Sequence, residues 1–232
     1  MRFWHRKRNE KRVKAFGIKN PKFVEGSCAL CGNSLDIARL NMFLRTADRV
    51  YIEVGSFTAC TFDQLFDGIL AVPWENYLDV DGKFMVNGKS KKSALFAISS
   101  CQSIIKKAII SRLSKHTNHK VFPETGAPFY IEFAIKDDKV TVLINTSGVG
   151  LHKRGYRDLV AKAPLRETLA SALLLLSDFS SDSVFIDPFC GSGTLVIEAA
   201  RIALNIASGI DREFDYQKWQ CFDSGVYNFG KK

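Results

Sequence analysis

The sequence predicts an α+β body over residues 37–148, followed from residue 149 by the opening part of an α/β, doubly wound unit. Three observations carry this. Before residue 148, amphipathic helical patterns alternate with β-rich runs, without an internal repeat. At Ser147-Gly148-Val149-Gly150 small residues interrupt the pattern, which reads as a hinge. Beyond it, Val184-Phe185-Ile186 reads as a short buried strand, Asp187 to Gly193 as a tight glycine turn, and Thr194 to Ile206 as a helix.

Taken in order, residues 1–36 show no sustained period and cluster their charges, and are expected to be a basic, atypical segment. Leu35, Ile37, Ala38, Leu40, Met42 and Phe43 have helical spacing, and Val50 to Val54 suits a strand. Thr61-Phe62-Asp63-Gln64 has the form of a capping box. Phe62, Leu65, Phe66, Ile69 and Leu70 follow on one helical face, and Pro73, which has no N–H to donate, stops the helix. Ser99 and Ser100 cap a second helix to about His116, with Ile104, Ile105, Ala108, Ile109 and Leu113 as its stripe. Tyr130 to Ile135 and Val140 to Ile144 flank Asp137-Asp138, a hairpin signal. Pro164 suits the first position of a helix whose buried stripe would be Leu165, Leu169, Ala172, Leu173 and Leu176.

Composition excludes several classes. No apolar run approaches the roughly 20 residues a membrane helix needs, and no apolar stretch follows the basic start, as a secretory signal requires. A cytoplasmic protein is expected. Six cysteines are present, but only Cys28 and Cys31 are closely spaced, and His116 and His119 lie too far on for a compact finger. No metal site is expected.

The net charge of +9 is unevenly spread. Residues 1–22 hold nine Lys/Arg and one acid, Glu10. Residues 82–123 hold nine Lys/Arg and no acid. A one-signed stretch attracts polyanions by Coulomb attraction and counterion release. Lys89, Lys91, Lys92, Lys106, Lys107 and Lys115 are therefore candidate RNA contacts; the alternative is a solvated face balanced by acids elsewhere. His152, Lys153, Arg154, Tyr156 and Arg157 form a second cluster in which bases could hold phosphates and the tyrosine could stack on an unpaired base. A charged linker is its alternative.

The turn at Asp187–Thr194 has the most specific chemistry. A P-loop needs a lysine that is absent here, and a dinucleotide fingerprint needs a small residue where Val196 stands. A nucleoside carrying a positive charge fits better: the ammonium of S-adenosylmethionine can pair with Asp187 while its ribose passes over the glycines. Asp187, Pro188, Cys190, Gly191, Ser192, Gly193 and Thr194 are the candidate cofactor contacts, against the alternative of an ordinary strand-to-helix turn. Cys190 has no adjacent base to make it a thiolate and is assigned a lining role. Asp211 stands near the offset of a ribose-binding acid, but behind a weak strand.

The turn, the downstream Ile197-Glu198-Ala199-Ala200, Thr146-Ser147-Gly148, and Leu151-His152-Lys153-Arg154-Gly155-Tyr156-Arg157 together resemble the THUMP-domain RNA methyltransferases, in particular the bacterial RlmL type. Leu44 to Val50 and Ala163 to Leu169 fit the same family. The resemblance runs from about Leu35 to Trp219. It implies a THUMP RNA-binding domain over 37–148 and, over 149–232, the N-terminal portion of a Rossmann-like methyltransferase domain with Asp187, Gly191 and Gly193 at the cofactor. It implies methyl transfer from S-adenosylmethionine to a guanine N2 of ribosomal RNA, and argues against Asp211 as the ribose acid.

Two departures accompany it. The N-terminal segment lacks the family's opening strand and helix, as a fusion or altered frame would. Thirty-eight residues follow Thr194, room for one further strand–helix unit, and the family's Asn-Pro-Pro-aromatic motif, which holds the guanine amine, is absent. The chain is therefore expected to be a truncated member that binds structured RNA without turnover and binds S-adenosylmethionine weakly. It could self-associate through the free edge of strand 184–186; DNA and membranes are not expected partners. The competing functions are a non-catalytic THUMP RNA-binding module and, more remotely, a mononucleotide-binding regulator.

Overall fold

The computed structural model describes residues 21–24, 26–117, 121–156 and 164–222. Its elements are β1 (Lys22–Val24), β2 (Ser27–Ala29), α1 (Ser34–Phe43), β3 (Tyr51–Thr58), α2 (Phe62–Leu70), a 3-10 turn (Trp74–Asn76), β4 (Lys83–Lys91), α3 (Ile98–Thr117), β5 (Pro128–Lys136), β6 (Lys139–Asn145), α4 (Glu167–Leu176), α5 (Thr194–Ala203) and a 3-10 turn (Asp215–Lys218). The described residues form two compact units, one lying within 51–148 together with 215–222, the other comprising the described residues up to 50 and from 149 to 214.

The unit of 51–148 is built on a four-stranded sheet of order β3-β6-β5-β4. β4 and β5 run parallel through the crossover helix α3, and the other pairs are antiparallel. Alternation sends Phe84, Phe129, Ile131, Phe133, Ile135, Val140, Val142 and Ile144 to one face, where all are buried. Against that face lie Leu65 and Ile69 of α2 and Cys101, Ile105, Ala108, Ile109 and Leu113 of α3. Thr61 caps α2 by accepting from the Gln64 N–H, while Gln64 reaches back one residue further than expected, to the Cys60 N–H. Trp219 closes the base of the sheet by stacking on Phe129, with centroids 4.7 Å apart, and donates to the Pro128 carbonyl.

The expected hairpin is present. Asp137 and Asp138 have φ of 50° and 61°, the left-handed pair that a two-residue turn needs to match strand twist. Asp138 also accepts from Ser93 Oγ at 2.7 Å and from the Ala94 N–H, which holds its carboxyl below the ordinary range. The expected Val50–Val54 strand extends to Thr58, with a bulge between Glu53 and Gly55. Strand β4 has no counterpart among the expected elements.

In the other unit, α1 is capped by Asn33 in a full capping box with Asp36. The hairpin β1–β2 stands where no pattern was expected, and α1 is the helix expected from Leu35 to Phe43. α1 and its following loop are fastened to residues 201–209: Ser208 Oγ donates to the Met42 and Leu44 carbonyls at 3.0 Å, and the Gly209 N–H to the Met42 carbonyl at 2.8 Å.

A buried ion pair holds this unit together. Glu198 on α5 is fully buried and Arg154 is 2% exposed; Arg154 Nε lies 3.5 Å from Glu198 Oε1. The guanidinium also donates to the carbonyls of Leu151 and Arg45. Ser171 Oγ of α4 and the Tyr156 hydroxyl donate to the two Glu198 oxygens. Burial disfavours the Arg154 charge, and the facing carboxylate opposes that. Gly155 follows at φ +96°, where an added Cβ would stand 2.0 Å from the Asp211 carbonyl oxygen, so only glycine fits there.

This cluster decides which face of α4 is inside. Thr168, Ala170, Ser171, Ala172 and Leu174 are buried, while Leu169 and Leu173 of the expected stripe are 41% and 46% exposed. The correction has a polar cause: Ser171 must reach Glu198. Pro164 is not the first helical residue either, since Arg166 is the N-cap, and α5 ends at Ala203 rather than Ile206.

Two outcomes follow. Removing one member of a buried pair leaves a charge without compensation and costs about 3–5 kcal/mol, whereas replacing both by apolar groups can be neutral. Glu198→Leu should lose stability of that order in urea unfolding, and Arg154→Met combined with Glu198→Leu should regain most of it; a single-variant loss below about 1 kcal/mol would deny the pair this role. In the sheet unit, the Arg112 guanidinium draws the Glu75 carboxyl from 4.5 down to about 2. A depressed carboxyl adds stability above its unfolded pKa, and that stability is lost as pH falls through the folded value. Glu75→Gln should therefore lower the melting temperature at pH 7, with the difference shrinking between pH 4.5 and 2; an equal deficit at both ends of that range would refute it.

Candidate functional site

The glycine turn forms as a turn, but not at the end of a strand. Residues 184–186 pair with no described strand, and Val184 and Ile186 are 89% and 78% exposed. The expected buried strand is corrected here: an extended segment needs a hydrogen-bonded neighbour to become a strand. Among the described residues, the expected free strand edge for self-association is absent with it.

The turn is closed by the Gly193 N–H donating to the Cys190 carbonyl at 2.8 Å. Asp187 Oδ1 accepts from the Phe189 N–H at 3.1 Å, which curls the chain back over its acid. Gly191 and Gly193 have φ of +55° and +72°, the left-handed region. Nothing lies within 4 Å of a Cβ built on Gly191. Gly193 is the N-cap of α5 and offers no side-chain cap. Thr194 is buried and Ser192 lies 3.4 Å from it, while Pro188 and Cys190 are exposed. The acid suits the amine of S-adenosylmethionine and the open glycine backbone its ribose, and so the residues present fit that part of the group.

Asp211 takes another role. Its carboxylate pairs with Arg201 of α5 at 2.7 Å, which fastens the helix instead of a ribose.

The basic candidates divide. Lys89, Lys91, Lys92, Lys107 and Lys115 are exposed. Lys106 pairs with Glu124 at 2.6 Å. Arg154 is corrected: expected on an RNA surface, it is buried, and its donors are committed to the ion pair and to carbonyls. Tyr156 is half-buried, bonded to Glu198, with the Arg201 guanidinium 5.1 Å from its ring centre; one face of the ring is thus already covered. Lys153 is exposed and His152 half-buried; burial and the Arg166 charge push the imidazole below its ordinary value. Arg157 lies outside the described residues.

A cavity of about 640 Å³ is lined by His152, Lys153, Tyr156, Arg166, Glu167 and Arg212 among others. The turn at 187–194 is not part of its lining. Among the described residues, no group of three or more His, Cys, Asp or Glu could hold a metal ion, and no helix is long and apolar enough to cross a membrane.

Comparison with known proteins places most of the chain within three domain families. Residues 10–51 match the model of the RlmL ferredoxin-like domain, residues 59–145 that of the THUMP domain, and residues 154–227 that of the RMKL-like methyltransferase domain. The first match corrects the expected departure of the N-terminus from the family. The chain is 43% identical over 209 residues to a Bacillus subtilis protein provisionally named RNA methyltransferase YpsC, covering 89% of this chain and 54% of that one. It is 35% identical over 216 residues to the ribosomal RNA large subunit methyltransferase K/L of Psychromonas ingrahamii, covering 92% of this chain and 29% of that one.

Among solved structures, a Listeria monocytogenes protein described as a predicted N6-adenine-specific DNA methylase superposes with a TM-score of 0.91 at 48% identity, over 95% of this chain and 58% of that one. SMU.472, provisionally described as a methyltransferase and crystallised with SAH, superposes with a TM-score of 0.91 at 40% identity, over 97% of this chain and 60% of that one. The chain spans about half the length of the first of these curated relatives and under a third of the second. In sequence and in fold, it is a THUMP domain joined to RlmL-like methyltransferase-domain sequence.

Proposed function

We propose that this protein serves S-adenosylmethionine-dependent methylation of RNA, with the N2 amine of a guanine in ribosomal RNA as the acceptor. The RNA-binding domain lies within 37–148 and the methyltransferase segment begins at 149. The observation that carries the reading is the turn at the head of α5, where an acid, two left-handed glycines and an uncapped helix start meet. The names of the K/L and YpsC relatives and the SAH bound to SMU.472 support it. The THUMP match favours RNA over the DNA named for the Listeria protein.

When bound, S-adenosylmethionine supplies an electrophilic methyl group on a sulfonium. This chain's own residues bind and orient. Asp187 accepts the ammonium of the amino-acid end, and the backbone at Gly191 and Gly193 lets the ribose approach without a side chain in the way. Cys190, Ser192 and Thr194 shape the turn. An exocyclic amine needs little acid–base help and must be held in line, so positioning accounts for most of the catalysis. In the resembling family an Asn-Pro-Pro-aromatic loop does this, and these 232 residues contain no such sequence. They contribute RNA binding and the amine-and-ribose side of the cofactor site, without turnover on their own.

RNA binding draws on the acid-free stretch, through the exposed Lys107 and Lys115 of α3 and through Lys153. Replacing Lys106, Lys107 and Lys115 by Glu should weaken binding of ribosomal RNA fragments and flatten the salt slope by about 0.7–0.9 for each phosphate no longer neutralised. An unchanged affinity and slope would remove α3 from the interface. Incubation with labelled S-adenosylmethionine and unmodified ribosomal RNA should transfer no label above an Asp187→Ala control. Transfer above that level would show that these residues already hold the acceptor amine.

A further inference from the structure

The register of the four-stranded sheet places lysines that are scattered in sequence side by side. On the face opposite α2 and α3, Lys91, Lys136 and Lys139 pair across β4, β5 and β6, with Thr58 of β3 completing the row. The next row is Lys89, Ala134, Thr141 and Ser56. Lys89, Lys91, Lys136 and Lys139 are exposed, and none forms an ion pair with a described carboxylate. Neither row contains an acid. Asp138, at the turn beyond them, is committed to Ser93 and Ala94, and Asp137 is exposed at the turn's tip.

Like charges directly opposite across strands destabilise a sheet. Here three lysines stand in one row, with adjacent strands about 4.8 Å apart, and Lys92 follows at φ 52°. Such local conflict, left without compensation, marks a surface kept for a ligand. Small and hydroxyl side chains in the second row let a sugar–phosphate backbone come close. Farther along the same face the rows change character, to Asn87, Glu132, Leu143 and, at the outer strand, the exposed Glu53, and then to Met85, Tyr130, Asn145 and Tyr51. The Tyr51 hydroxyl donates to both Glu132 oxygens at 3.0–3.1 Å, so that carboxylate is already engaged. A cationic row beside an aromatic and aliphatic floor has the arrangement on which an unpaired strand lays its phosphates and stacks its bases.

We infer that this sheet face seats a single, unpaired RNA strand crossing β4, β5 and β6, its phosphates over Lys89, Lys91, Lys136 and Lys139 and its bases over Tyr130 and Leu143. The inference rests on the RNA reading above and adds the face and the unpaired state of the RNA. The face is distinct from that of Lys107 and Lys115, which lie on a helix covering the opposite side of the sheet.

The test is fluorescence anisotropy of the full chain with a short labelled single-stranded RNA and with the same sequence as a duplex, across salt. Lys89→Gln, Lys91→Gln, Lys136→Gln and Lys139→Gln together should weaken single-strand binding at least about tenfold and lower the salt slope by about 0.7 per lysine, with a smaller effect on the duplex. Tyr130→Ala should weaken single-strand binding and leave the slope unchanged. Lysine acetylation of the wild-type protein, read by mass spectrometry, should show these four amines protected by RNA, which keeps the test independent of variant folding. Wild-type RNA binding without loss in the lysine variant or protection of these amines would overturn the inference and leave the RNA reading standing. No binding of either RNA by the wild type would overturn both. An equal loss toward polyglutamate would overturn the assignment to RNA.

Discussion

The buried pair of Arg154 and Glu198 is the constraint on which the methyltransferase-like unit depends. Taking both charges out of water is costly, and hydrogen bonds offset the cost: the Ser171 and Tyr156 hydroxyls donate to the carboxylate, and the carbonyls of Leu151 and Arg45 accept from the guanidinium. Four separate stretches of chain are therefore committed to one point. The loop at 151–156 cannot slide, because Gly155 lies against the Asp211 backbone. α4 cannot rotate, because Ser171 must face inward. α5 is fixed by Glu198 in its second turn and by Arg201 pairing with Asp211 near its end.

Fixing α5 fixes what stands at its head. The glycine turn has little packing of its own: Phe189 is 94% exposed, and the chain before it has no strand partner among the described residues. Its position comes from the helix it starts. The Arg-Gly-Tyr segment is thus tied to the glycine turn indirectly, through Glu198. The THUMP unit follows a different logic. Its sheet has one apolar face, filled by two helices, and the buried apolar side chains of the sheet lie on that face. That second face can carry charge whose mutual repulsion the core tolerates.

Legibility in the sequence tracks whether a feature is local. Helices α2 and α3 and the Asp137-Asp138 hairpin are readable, because apolar stripes, the Thr61 cap and left-handed turn residues signal within a few positions; Ser99 and Ser100, expected to cap α3, instead lie inside it, since the helix begins at Ile98. β4 is not, since its lysines and Gly88 break the β pattern; Gly88 is small because the Phe133 ring occupies its side-chain space. The inner face of α4 is misleading in sequence because leucines outweigh a serine in any stripe, and only the long-range Glu198 contact reverses the choice. Arg154 looks like a surface base because its acid lies 44 residues on. Hydrophobic residues at 184–186 suggest a strand, but strand formation depends on a neighbour that periodicity does not contain. The turn itself, an acid followed by left-handed glycines at a helix start, is legible because its signals are local.

The central claim is that the turn held by α5 is where S-adenosylmethionine's amine and ribose are received. Backbone amide NMR of the protein, titrated with S-adenosylmethionine to saturation, tests it most directly. The account predicts weak binding, because the segment bearing Asp187 is not held in a sheet, with the largest shift changes at the amides of Cys190, Gly191, Ser192, Gly193 and Thr194 and their loss in Asp187→Ala. Changes centred on His152, Arg166 and Arg212 around the neighbouring cavity, with the turn silent, would contradict it.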